Sequence, residues 1–212
     1  MTATPDRGRF IALVGIDGSG KSTLLKAMSQ TGVHTTSWHD LRAHDVPAML
    51  APDAPTAVKS RLTPLGRSMF IGGHLVAQYE YLVRPTLEQG ADVVLDSYYY
   101  KLLAKERLLG HAHPSLEALC LELPQPDALI LIDTPPETSW SRKKDALSSY
   151  EYFGNVPSED SYLRFQRGIA ESLHAAAMAT PSVLLNGCTS PDDLLLGALA
   201  AVSALHEQRR TA

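Results

Sequence analysis

The chain has 212 residues, a net charge of −4 and 44% hydrophobic residues. That length suits a single domain of residues 1–212 with a core large enough to need no disulfide or metal support. Mixed charge with no basic field argues against a nucleic-acid partner. The start MTATPDRGRF lacks an apolar signal core, and Phe10–Val14 is far too short to span a bilayer, so the expectation is a cytoplasmic protein with no membrane partner. Cys120 and Cys188 lie far apart, fit no metal or redox spacing and are expected to be buried free thiols.

In chain order, the apolar run Phe10–Val14 predicts a first strand, buried on both faces. The stretch LVGIDGSGKST follows, with Gly15, four residues, then Gly20, Lys21 and Ser22. This is the P-loop spacing G-x4-G-K-S/T. Its glycines let successive backbone N–H groups turn inward on phosphate oxygens, and the helix that follows adds the positive end of its dipole. Gly15, Asp17, Gly18, Ser19, Gly20, Lys21, Ser22 and Thr23 are therefore the predicted ATP-binding set. Lys21 can reach the β- and γ-phosphates, and the Ser22 hydroxyl can ligate Mg²⁺. Leu24, Leu25 and Met28 recur at helical spacing after the loop, which gives the strand–loop–helix context the motif requires.

Val33–Trp38 predicts a second strand. Ser68–Gln89 predicts a long helix, with Leu75, Tyr79, Leu82 and Val83 on one stripe, ended by Gly90. Val93–Leu95, Ala128–Ile132 and Ser182–Leu185 predict three more strands. Helices are expected from about Pro136, over Ser161–Met178 and over Pro191–Ala204. Strands separated by helices imply right-handed crossovers: an α/β, P-loop NTPase-type three-layer fold with a five-stranded parallel sheet and helices on both faces. Ligands in such sheets sit beyond the carboxyl ends of the strands. Asp96 and Asp133 close two strands there. Asp96 is the better Mg²⁺ candidate, and Asp133, before Thr134-Pro135-Pro136, is equally readable as a turn or cap residue. His111 and His113 form an H-x-H best read as a polar loop. Of Tyr98, Tyr99 and Tyr100, at least one is expected in the core, and one could stack on a base.

The motifs together resemble the thymidylate kinase family of P-loop nucleoside monophosphate kinases. GIDGSGKST resembles its phosphate loop, and LVRPTLEQGADVVLDSYYYKLLA its long helix, strand and Asp-Arg-Tyr segment. ALILIDTPPETSWSR resembles the fourth strand and the start of a lid at about 140–160. SYLRFQRGIAESLHAAA and SVLLNGCTSPDDL resemble the last two segments. The resemblance implies an ATP- and Mg²⁺-dependent phosphotransferase acting on a nucleoside monophosphate, dTMP by default. It also implies Asp17 facing the acceptor, catalytic roles for Lys21, Asp17 and the lid arginine Arg142, metal binding by Ser22 and Asp96, and a homodimer. Two alternatives stay open: a kinase of the same fold for a nucleoside or a non-nucleotide metabolite, and a nucleotide-binding module without efficient transfer.

The acceptor side departs from the family pattern. TTSWHDLR stands where Arg-Glu-Pro-Gly is expected, Ser97 replaces the arginine of Asp-Arg-Tyr, and Leu75 replaces an arginine of the long helix. Lys101 and Lys105 appear one helical turn apart. Either they compensate, gripping an acceptor anion, or Lys101, Lys105 and Glu106 are a solvated helix face. His74, Tyr98, Lys101 and Lys105, with Asp17, are the predicted acceptor-binding residues.

Overall fold

The computed structural model describes residues 7–44 and 62–210, with side chains to residue 205. Five strands form one parallel sheet: β1 (Phe10–Gly15), β2 (His34–Thr36), β3 (Val93–Asp96), β4 (Ala128–Asp133) and β5 (Ser182–Asn186), in the order β2-β3-β1-β4-β5. The helices are α1 (Lys21–Gln30), α2 (Pro64–Gln78), α3 (Arg84–Glu88), α4 (Tyr100–Leu108), α5 (Pro114–Glu122), α6 (Pro136–Lys143), α7 (Glu159–Ala179) and α8 (Pro191–Arg210). A 3₁₀ turn, Trp38–Ala43, follows β2. None of the described helices is long and apolar enough to cross a membrane.

The central strand shows why its sequence is apolar throughout. Side chains alternate between faces. Phe10, Ala12 and Val14 pack with Ile71, Leu75, Leu103, Phe165 and Ile169 from α2, α4 and α7. Ile11 and Leu13 pack on the other face with Leu24, Leu25 and Met28 of α1 and Leu194 and Ala198 of α8. Both faces are covered, so neither can be polar.

Three features differ from the sequence-based expectation. The long helix is present but not uniform: it widens into a π turn over Tyr79–Val83 before running on as α3. This places Pro85 in a first turn, where its missing N–H costs no helical bond. The helix α5 was not predicted. Pro114 opens it, and His113 caps it by accepting the Ser115 N–H at Nδ1, 3.2 Å away. Cys188 is exposed rather than buried, whereas Cys120 is in the core.

Candidate active site

The loop between β1 and α1 lies at the carboxyl end of the central strand, as the parallel topology requires. Gly18 and Gly20 adopt φ of 71° and 99°, a region that favours glycine. Gly20 is the residue before α1 and gives no side-chain cap, so the first-turn N–H groups of α1 are not capped from their own chain end. A Cβ on Gly18 would lie 2.7 Å from Ser139 Oγ, so the loop and α6 meet too closely for any larger residue. Lys21 is 6% exposed and lies along the loop, with Nζ 2.8 Å from both the Gly15 and Ile16 carbonyl oxygens. Ser22 and Thr23 are exposed on the first turn of α1.

Asp96 ends β3 beside Leu13 of β1, which brings its carboxylate to the P-loop side of the sheet, and Ser97 Oγ donates to it at 2.7 Å. Ser97 and Tyr98 then take φ of 61° and 44°, turning the chain sharply out of the strand. The turn sends Tyr98 into the core, 3% exposed, with its ring 5.1 Å from Phe10. This corrects the expectation that Tyr98 meets the acceptor. It bears out the expectation that at least one of the three tyrosines is in the core. Asp133 turns away from the loop and meets His174 Nε2 at 3.1 Å.

Asp17 is the most heavily contacted group of the site. Lys101 Nζ lies 3.1 Å from Oδ1, and Lys105 Nζ lies 2.8 Å from Oδ2. Burial would raise the Asp17 pKa, but Lys101, Lys105 and Lys21 outweigh it and hold the carboxyl well below the usual range. Lys21 responds in the opposite sense. Burial, then the charge of Lys101, pulls it down to about 7 against the pull of Asp96 and Asp17. Burial also lowers Lys101 and Lys105. Asp17 and Asp96 more than reverse this for Lys101, while Lys105, also facing the charge of Lys101, stays lowered.

The solvated-face reading of α4 is therefore wrong. Lys105 is buried, and Glu106 is 0% exposed, bound by Arg67 of α2 through Nε and, at 2.6 Å, through Nη2. Arg67 Nη2 also donates to the Tyr150 hydroxyl, and the Tyr150 ring lies 5.4 Å from Lys105 Nζ. The structure thus joins Asp17, Lys21, Lys101 and Lys105 in one cluster. The His74 ring lies 5.7 Å from that of Trp38.

Arg142 of α6 donates to the Gly187 carbonyl at 2.9 Å and, at 3.4 Å, to that of Gly18. It therefore bridges the P-loop and the turn after β5. A cleft of about 260 Å³ opens there, lined by Ser19, Thr23, Leu24, Arg142, Thr189 and Leu194. Gly187 belongs to the wall of this region, and a Cβ there would fall 1.9 Å from Thr134 Oγ1.

Sequence reasoning missed Ser139, Tyr162 and Gln166. Ser139 Oγ and Tyr162 OH both donate to the Asp17 carbonyl, and Gln166 binds the same residue. The one available signal was polar residues four apart, Tyr162 and Gln166, on the stripe of α7 that also carries Phe165 and Ile169.

A parallel sheet with this loop at the end of its central strand defines the P-loop nucleotide-binding class. No family model matches the chain. Curated relatives do. A "Probable thymidylate kinase" of Pyrococcus abyssi is 28% identical over 206 residues, covering 89% of this chain and 92% of its own. The thymidylate kinase of Xanthomonas oryzae pv. oryzae is 28% identical over 159 residues, covering 70% and 67%. That of Xanthomonas campestris pv. campestris is 29% identical over 156 residues, with the same coverage. These relatives support the thymidylate kinase family for this chain and, with it, a nucleotide kinase.

Proposed function

We propose that the protein is an ATP- and Mg²⁺-dependent phosphotransferase acting on a nucleoside monophosphate, with dTMP the first acceptor to test. The observation that carries this reading is the cluster at the end of β1, where the Asp17 carboxylate of the P-loop meets two lysines of α4. The residues fit a nucleoside triphosphate. The curled loop and the uncapped first turn of α1 offer N–H groups to phosphate oxygens, and the cleft beside Leu24 and Leu194 offers apolar walls to a base. The Ser22 hydroxyl and the Asp96 carboxylate are hard oxygen ligands of the kind Mg²⁺ takes along with phosphate oxygens. The metal, when bound, neutralises charge on the phosphates.

In this reading Lys21 leaves the Gly15 and Ile16 carbonyls to bind the β- and γ-phosphate oxygens. Asp17 orients the acceptor, and Lys101 and Lys105 take its anionic group. Arg142, tethered at the loop mouth, adds positive charge where the equatorial oxygens of the transferred group gather it. The family resemblance extends the proposal to a homodimer, and α2 has an apolar exposed row, Leu65, Met69 and Val76, to bury in one.

A second reading, an unphosphorylated acceptor, is favoured by one observation. The cations of the acceptor side are engaged internally, Lys101 and Lys105 by Asp17 and Arg67 by Glu106. One experiment separates the readings: steady-state transfer from ATP with Mg²⁺ to a panel of nucleoside monophosphates, nucleosides and small phosphorylated metabolites. Turnover of dTMP or another monophosphate supports the first reading. Turnover of unphosphorylated acceptors alone supports the second, and transfer to none of them leaves a nucleotide-binding module.

A further inference from the structure

Gln166 is 0% exposed in the middle of α7, and among the described residues every side-chain hydrogen bond it makes goes to one of two residues. Its Oε1 accepts from the Asp17 N–H at 3.1 Å. Its Nε2 donates to Asp17 Oδ2 at 3.1 Å and to the Glu151 carbonyl at 3.0 Å. Only one orientation of the amide serves all three partners, because oxygen must meet the N–H and nitrogen must meet the two acceptors. The planar side chain therefore grips both the backbone and the carboxylate of one residue. The lysines cannot do this, since an ammonium on a flexible stem supplies charge without fixing direction. The second link leads outward. The Glu151 carboxylate is held by Lys143 of α6 and, at 3.2 Å, by the Ser148 N–H. A chain of contacts thus runs from α6 through Glu151 and Gln166 to Asp17.

We propose that Gln166 is a positioning residue. It aims the Asp17 carboxylate at the acceptor and makes that aim depend on the placement of the segment around Glu151. The inference rests on the proposed role of Asp17. It goes beyond that role by assigning the orientation to an amide on a distant helix rather than to the lysines that dominate the charge.

The test is a double-mutant cycle on the full chain with Gln166→Met and Asp17→Asn, read as kcat and acceptor KM at saturating ATP, with thermal unfolding alongside. Gln166→Met keeps the length and removes the hydrogen bonds. Loss of a hydrogen bond to a charged group should lower acceptor kcat/KM by roughly 10-fold, with ATP KM unchanged. The double mutant should be no worse than Asp17→Asn alone, because a residue that acts through another has nothing left to position. Gln166→Glu keeps the shape but sets a second carboxylate beside the first. The acid limb of the pH–rate profile should then move to higher pH, a shift that simple loss of packing would not cause. If Asp17→Asn is costly while Gln166→Met is silent or its effect purely additive, the positioning role is overturned and the Asp17 reading stands. An unmoved acid limb in Gln166→Glu also counts against positioning. If Asp17→Asn is itself silent, the reading of Asp17 fails and takes this inference with it.

Discussion

The two sides of the site, donor and acceptor in the proposed reading, are built from different materials. The donor side is mostly backbone: a glycine loop, the first turn of a helix, one lysine lying against main-chain carbonyls, and an arginine hooked to two more. The acceptor side is mostly side chain: buried ion pairs join α2 to α4 and α4 to Asp17, and the Gln166 amide joins α7 to the segment after α6. A backbone site is specified by a short local motif, since the needed φ values and spacing sit within nine residues. A side-chain site is specified only by the fold that brings its members together. Its residues can therefore be replaced by others that satisfy the same burial, and its substrate is the harder one to name.

The contrast can be broken most forcefully at Arg67. Arg67→Met leaves the fully buried Glu106 carboxylate without its partner and should cost about 3–5 kcal/mol of stability by denaturant unfolding. Adding Glu106→Leu should recover most of that loss. A small cost for Arg67→Met alone would mean that the acceptor side does not depend on its buried charges. Lys21→Ala tests the donor side. It should lower turnover by at least ~10²-fold, as removal of a preorganised charge contact does, with thermal unfolding little changed. Near-normal turnover would end the claim that this loop performs the chemistry.

Lys101→Ala sharpens the comparison by a smaller step. Loss of one charged hydrogen bond should raise acceptor KM by roughly 10-fold while ATP KM stays level. If it is silent while a monophosphate is turned over well, Lys101 serves Asp17 alone.

The smallest effect is a linkage. Burial and Lys101 hold the Lys21 pKa near 7, so above that pH the free protein carries a largely neutral amine. A triphosphate favours the ammonium form. ATP binding should therefore take up a fraction of a proton at pH 8, and affinity should fall as pH rises from 7 to 9. Calorimetry at pH 8 in two buffers of different ionisation enthalpy reads the uptake directly, and Lys21→Ala should abolish it.

The legible parts of the molecule follow the same division. Phe10–Val14, the loop and α1 could be read from sequence because an unbroken apolar run, a glycine spacing and a helical stripe are local signals. The strand order, which places β3 and β4 beside β1, is not a local signal, because apolar runs and right-handed crossovers leave the neighbours of a strand open. The helix α5 was hidden because its N-cap is a histidine, outside the usual Ser, Thr, Asp and Asn signal. Tyr98 was misplaced because no sequence rule foresees two consecutive left-handed residues that are not glycine. Glu106 and Arg67 are 39 residues apart, and each reads alone as an ordinary surface charge. Only the packing of α2 near α4 makes them a buried pair.

The strand order has a consequence for how such an enzyme could change over descent. β1 is laddered on both sides, to β3 and to β4, so an alteration in its backbone would disturb two pairings at once. β2 is three residues long and, among the described residues, paired only with β3, and the Trp38–Ala43 turn hangs from its end. Insertions, deletions and new side chains there disturb a single short ladder. A lineage built on this plan can therefore vary the margin of its sheet while the glycine loop, fixed at the centre, is inherited unaltered.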